Sequence, residues 1–100
     1  MSNAVITKLD TYHFQVEGEL NLTTAPDLLQ AMLSQFPSVG SEVQIDLEGV
    51  TRSDSAGLAL LVEWLRLAEK QGITLQFHNL PSQLREIAQV SDLLPLLPLA

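Results

Sequence analysis

The chain reads as an α/β protein in which a mixed β-sheet of about four strands carries α-helices packed against it. Three observations predict this. Segments with alternating apolar residues, the pattern of half-buried strands, take turns with segments whose apolar residues recur at helical spacing. The resulting order is β-β-α-β-α-β-α, and strands separated by helices imply right-handed parallel crossovers. Finally, 100 residues with 46% apolar side chains suit one domain over residues 1–100, which can bury a core without disulfides or a structural metal.

The elements follow in order. Val5 to Leu9 and Tyr12 to Leu20 carry β-branched and aromatic residues in near alternation, with Asp10-Thr11 as the turn between two strands. Thr24, Ala25, Pro26 and Asp27 read as a helix start: a hydroxyl cap, a proline in the first turn and a carboxylate near the positive dipole end. The spacing of Leu28, Leu29, Met32, Leu33 and Phe36 predicts a helix from about Ala25 to Phe36, stopped by Pro37. Val43, Ile45 and Leu47 alternate with polar residues in an inner strand of about five residues that Gly49 ends. A long helix then runs to about Gln71, with Gly72 in the C′ position. Ile73, Leu75 and Phe77 form the last strand. Asn79 and Pro81 open a final helix whose inner face holds Leu84, Ile87 and Ala88.

Composition narrows the function. Five basic against twelve acidic residues give a net charge of −7, which repels phosphate backbones and anionic headgroups, so the chain is read as binding neither nucleic acid nor membrane directly. The start lacks a basic, long apolar leader, and Leu93 to Ala100, broken by Pro95 and Pro98, is far short of the roughly 20 residues that span a bilayer. The protein is therefore expected to be cytoplasmic. With no cysteine, thiolate catalysis and iron–sulfur clusters are excluded, and His13 and His78 are the two soft metal ligands, too few for a metal site. Phosphate-loop, dinucleotide, zinc-protease and nucleophile-elbow motifs are missing, so neither cofactor nor catalysis is expected. A Ser55-Asp54-His78 triad is disfavoured, since a serine at a helix start is far more often a cap.

The segment before the long helix stands out. Asp54 and Ser55 precede a helix whose free N–H groups and dipole favour an oxygen or an anion, and Gly57 permits close approach of a neighbouring element or a partner. Ser53, Asp54 or Ser55 also reads as a plain N-cap. Placing Leu58 at 0° and turning 100° per residue, Leu61, Val62, Leu65 and Ala68 fall within about 80° of one meridian and should face the sheet. Leu60, Trp64 and Leu67 fall at about 200°, 240° and 180°, on the opposite side. Two apolar stripes predict that the second is exposed for a partner, with Trp64 as its anchor. The alternative is that the tail residues Leu93, Leu94, Leu96 and Leu97 fold back over it.

Ile45-Asp46-Leu47-Glu48-Gly49-Val50, followed by Ser53-Asp54-Ser55-Ala56-Gly57-Leu58-Ala59-Leu60-Leu61, resembles the signature of STAS domains, shared by sulphate transporter tails and anti-sigma factor antagonists. The resemblance covers nearly the whole chain and implies the STAS fold. Anti-sigma antagonists carry Asp-Ser-Ser-Gly, whose first serine is phosphorylated by a partner kinase. That position matches Ser55, while Ala56 replaces the second serine. The MlaB-like branch, a STAS subunit of a phospholipid-transport ABC complex, is more similar at Asp54 to Leu61 and at Lys70-Gln71-Gly72. That likeness implies a non-enzymatic subunit that binds an ABC transporter ATPase and is held through it at the inner face of the cytoplasmic membrane. Contacts would come from Asp54, Ser55, Gly57, Leu58, Leu60, Trp64 and Leu67. The alternative implied by the family is an anti-sigma factor antagonist whose partner is an anti-sigma factor kinase and whose switch is phosphorylation of Ser55.

Overall fold

The computed structural model describes residues 4–100. The strands are β1 (Ala4–Asp10), β2 (His13–Leu20), β3 (Glu42–Ser53) and β4 (Thr74–His78); the helices are α1 (Ala25–Leu33), α2 (Ser55–Lys70) and α3 (Ser82–Val90), followed by a single 3₁₀ turn at Leu94–Leu96. The sheet has the order β1-β2-β3-β4, with β1 antiparallel to β2 and the other neighbours parallel. This is the expected mixed four-stranded α/β architecture.

Strand alternation separates two faces. Phe14 and Val16, Val43, Ile45 and Leu47, and Leu75 and Phe77 point into the core, while Gln15, Gln44, Asp46, Gln76 and His78 remain half-buried on the other face. Because β2, β3 and β4 follow one another in one direction across the sheet, their right-handed crossovers place α1 and α2 on the same face, and α3, after the last strand, packs beside α2. They pack side by side, α1 on α2 and α2 on α3, giving a slab of 33 × 32 × 19 Å.

Three local expectations change. β3 is twelve residues long and runs through Gly49, where its pairing with β2 shifts register on either side of Glu17 and Gly18. Thr24 does not cap α1. It is buried and its hydroxyl donates to the Glu19 carbonyl (2.8 Å), while Asn21 Oδ1 accepts from the N–H groups of Thr23 and Thr24 (2.9 and 3.0 Å). α1 ends at Leu33, short of Phe36. The close of α2 is as the sequence predicts: Gly72 has φ +70°, its N–H donates to Glu69 O (3.0 Å), and the Ile73 N–H donates to Ala68 O (2.9 Å), a Schellman ending.

The largest correction concerns α2. Leu60 is 3% exposed and Trp64 0%, so no apolar stripe made by them faces outward. Gly57, Leu58, Leu61 and Ala68 are buried with them, and Leu67 is half-buried. As the middle helix, α2 is covered by α1, α3 and the sheet at once. Its buried surface is therefore one arc of about 160°, from Leu60 round to Leu58, and the two stripes are the halves of that arc. The tail does not supply the cover by folding over the helix. It runs along β4, where the Phe77 N–H donates to Pro98 O (2.8 Å), the Ala100 N–H donates to Phe77 O (2.9 Å), and Leu97 is buried.

Candidate partner-binding site at the start of helix α2

The site forms where β3 turns into α2. Asp54 is extended (φ −114°, ψ −166°) and its Oδ1 accepts from the Ala56 N–H (2.8 Å), satisfying one of the free donors of the first turn. The loop is tied to two other elements. The Asp54 N–H donates to Leu20 O on β2 (3.2 Å), and the Ser53 N–H donates to Gln83 Oε1 on α3 (2.9 Å). Ser53 itself is buried and its hydroxyl donates to Asp54 O (3.1 Å). Ser55, the first helical residue, is exposed, and its hydroxyl makes no hydrogen bond among the described residues.

Gly57 is the reason the helix can lie so close. A Cβ there would stand 2.0 Å from Ser53 Oγ and 2.9 Å from Leu20 Cβ, so the close approach is to the chain's own β2 and β3, not to a partner. Of the residues expected to meet a partner, Asp54 and Ser55 are therefore at the surface. Gly57, Leu58, Leu60 and Trp64 lie inside, and Leu67 is half-buried.

An apolar groove that the sequence reading missed opens beside Ser55. Leu22, Ala25, Pro26 and Leu29 form one wall, and Ala56, Ala59 and Glu63 the other, with Leu60 in its floor and a volume of about 310 Å³. Leu22 is 83% exposed. The legible signal was the pair of small residues Ala56 and Ala59, one helical turn apart and set against a polar-flanked leucine. On the other side of the loop a polar hollow of about 340 Å³ is lined by Glu19, Asn21, Arg52, Asp54 and Gln83.

The imagined triad is not assembled. His78 pairs with Asp46 in the sheet register, seven residues before Ser53, which is roughly 23 Å along β3. Its Nε2 is bonded to Gln44 Oε1. His13 Nδ1 meets Asp10 Oδ1 at 2.8 Å, and that hydrogen bond holds the exposed Asp10 carboxyl below its ordinary range. Among the described residues no group of three or more His, Asp or Glu side chains is placed to hold a metal, and no helix is long and apolar enough to cross a membrane.

Comparison with known proteins now places the chain. The family described as "Mlab, STAS domain" matches residues 4–98, and the chain belongs to the STAS domain family. It is 30% identical over 78 residues to an anti-sigma-B factor antagonist of Bacillus subtilis, covering 78% of this chain and 71% of that one. An anti-sigma-B factor antagonist of Staphylococcus epidermidis is 26% identical over 88% of this chain and 82% of its own length. Among solved structures, the anti-sigma factor antagonist SpoIIAA in its unphosphorylated form superposes with a TM-score of 0.71, covering 97% and 87% of the two chains at 16% identity, a likeness of fold. An anti-sigma factor antagonist from Mycobacterium paratuberculosis gives 0.64 at 25% identity, over 96% and 82%. These relatives carry the name of the second functional expectation, the anti-sigma factor antagonist. The family description also carries the word "Mlab".

Proposed function

We propose that this protein is a STAS-domain antagonist that acts by binding, not catalysis, and docks an anti-sigma factor kinase through Ser55 and the α1/α2 groove. The observation that carries this reading is the exposed Ser55 hydroxyl at the tip of a rigidly anchored helix, next to an open apolar groove. The naming of the relatives supports the class of partner. Phosphorylation of Ser55 is the switch. A phosphate at a helix N-terminus meets free N–H groups and the positive dipole end, so the fold tolerates it. It also puts nearly two negative charges beside the Asp54 carboxylate, on the surface a partner must desolvate. A second reading, an accessory subunit on a phospholipid-transport ATPase, is favoured by the family description and by Ala56 in place of a second serine.

The test is calorimetric titration against an anti-sigma factor kinase, with intact-mass analysis after incubation with ATP. Ser55→Ala should keep affinity within a few-fold and take up no phosphate. Ser55→Asp and Leu22→Glu should each weaken binding by about 100-fold or more, a change of roughly 2.7 kcal/mol. No phosphate on the unaltered chain and no binding to the kinase, with co-purification of an ABC ATPase instead, would replace this reading with the second.

A further inference from the structure

Three side chains around the Ser53–Gly57 turn carry hydrogen-bond donors that find no acceptor among the described residues. They line the polar hollow of about 340 Å³ on the side of the turn away from the apolar groove. Gln83 is oriented by its Oε1, which accepts from the Ser53 N–H (2.9 Å), and Asn21 by its Oδ1, which accepts from the N–H groups of Thr23 and Thr24 (2.9 and 3.0 Å). Both oxygens are thereby committed to backbone, and the amino groups Gln83 Nε2 and Asn21 Nδ2 are left free. The third side chain is Arg52, exposed at the end of β3. Glu19 is its neighbour across the strands and Asp54 follows two residues on, yet the guanidinium forms no ion pair with either. Ser55 stands between the two hollows of this surface: Asp54 before it lines the polar one, and Ala56 after it lines the groove.

We infer that the hollow seats the phosphate of phosphorylated Ser55, with Arg52 pairing to it through the guanidinium fork and Asn21 Nδ2 and Gln83 Nε2 donating to its remaining oxygens. The inference rests on the phosphorylation reading above and names the groups that hold the modified state. Arg52 precedes Ser55 by three residues, at most about 11 Å of extended chain, a gap that an arginine and a phosphorylated serine close from both sides. Asn21 follows Leu20, whose carbonyl accepts from the Asp54 N–H (3.2 Å), and Gln83 is bonded to the turn itself. The helix end alone does not satisfy three phosphate oxygens, because Asp54 already takes the N–H groups of Ala56 and Gly57 (2.8 and 3.0 Å). An arginine and a phosphate form paired, charge-assisted hydrogen bonds, and the guanidinium is uncommitted. The hollow sets one guanidinium against two carboxylates, Glu19 and Asp54, which disfavours a free anion from solution. A phosphate tethered at Ser55 is present at an effective concentration on the order of millimolar or more, so it is the anion that can occupy the hollow.

The test uses the full chain with phosphoserine placed at position 55 during translation, so that no kinase is needed, and follows the phosphate by phosphorus NMR as pH is varied. The second pKa of phosphoserine is ordinarily about 6. Arg52→Gln should raise it by at least about 0.5 unit relative to the otherwise unaltered phosphorylated chain, because the guanidinium favours the dianion. Most of that difference should survive about 1 M salt, which screens charges that are not in contact. Arg52→Lys should restore only part of it, since an ammonium lacks the planar fork. Without the phosphate, Arg52→Gln should melt with the unaltered chain; with it, the variant should melt at least about 2 °C lower. The inference is overturned if Arg52→Gln moves the pKa by less than about 0.2 unit, if the difference vanishes in about 1 M salt, or if the two phosphorylated chains melt together. Failure of a kinase to phosphorylate Ser55 would overturn the switch itself, whereas a phosphate indifferent to Arg52 overturns the clamp alone.

Discussion

At Gly57 a single absent methyl group decides how α2 sits. Adding it in Gly57→Ala drives a Cβ into Ser53 Oγ and Leu20 Cβ, so stability should fall by about 1–3 kcal/mol in urea denaturation. Ser53→Ala in the same chain removes the nearest of the two clashes, and the double variant should recover part of the loss. Additive losses would mean the strain lies elsewhere. At this scale much of the site was legible. Asp54 as a carboxylate acceptor for the first turn and Ser55 as a surface hydroxyl follow from residue types next to a strongly periodic helix. Thr24 misled because a hydroxyl before a proline-bearing helix start has the look of a cap. The cap is supplied by Asn21 three residues upstream, and Thr24 turns inward to Glu19.

Helix α2 shows what periodicity alone leaves open. The wheel placed the apolar residues correctly around the cylinder but assumed a helix with one neighbour. The width of a buried arc depends on how many elements surround it, and that is a property of topology. Trp64 therefore belongs to the core, and its Nε1 is buried without a hydrogen-bond partner. Trp64→Ala should cost about 3–5 kcal/mol of stability. Trp64→Phe should cost markedly less, because the indole N–H it removes forms no bond there. Chemical denaturation separates the two. A surface role would instead leave stability unchanged for both and shift only partner affinity. β3 was cut short for a related reason: Gly49 reads as a terminator, yet it sits inside a strand at a register shift, where the two parallel neighbours part and rejoin.

Over the whole molecule, the alternation of elements and the strict β-α-β order were enough to predict a mixed sheet under a helical layer. The course of the last eight residues was not, since a proline-broken leucine run has no period to read. It completes the sheet at β4 and buries Leu97. Deleting residues 97–100 should lower stability by about 2.5–6 kcal/mol, the sum of one buried leucine and two lost hydrogen bonds to Phe77, and should raise light scattering through the bared strand. A loss under about 0.5 kcal/mol would mean that the tail contributes nothing to the fold. The anchoring of the Ser53–Gly57 turn on β2 and α3 has one more consequence. A recognition element nailed down on two sides has no ordering left to undergo when a second protein arrives, so most of the entropy loss on association falls to that protein. Association should then proceed without a slow conformational phase, and the visitor must bring its shape to a fixed peg.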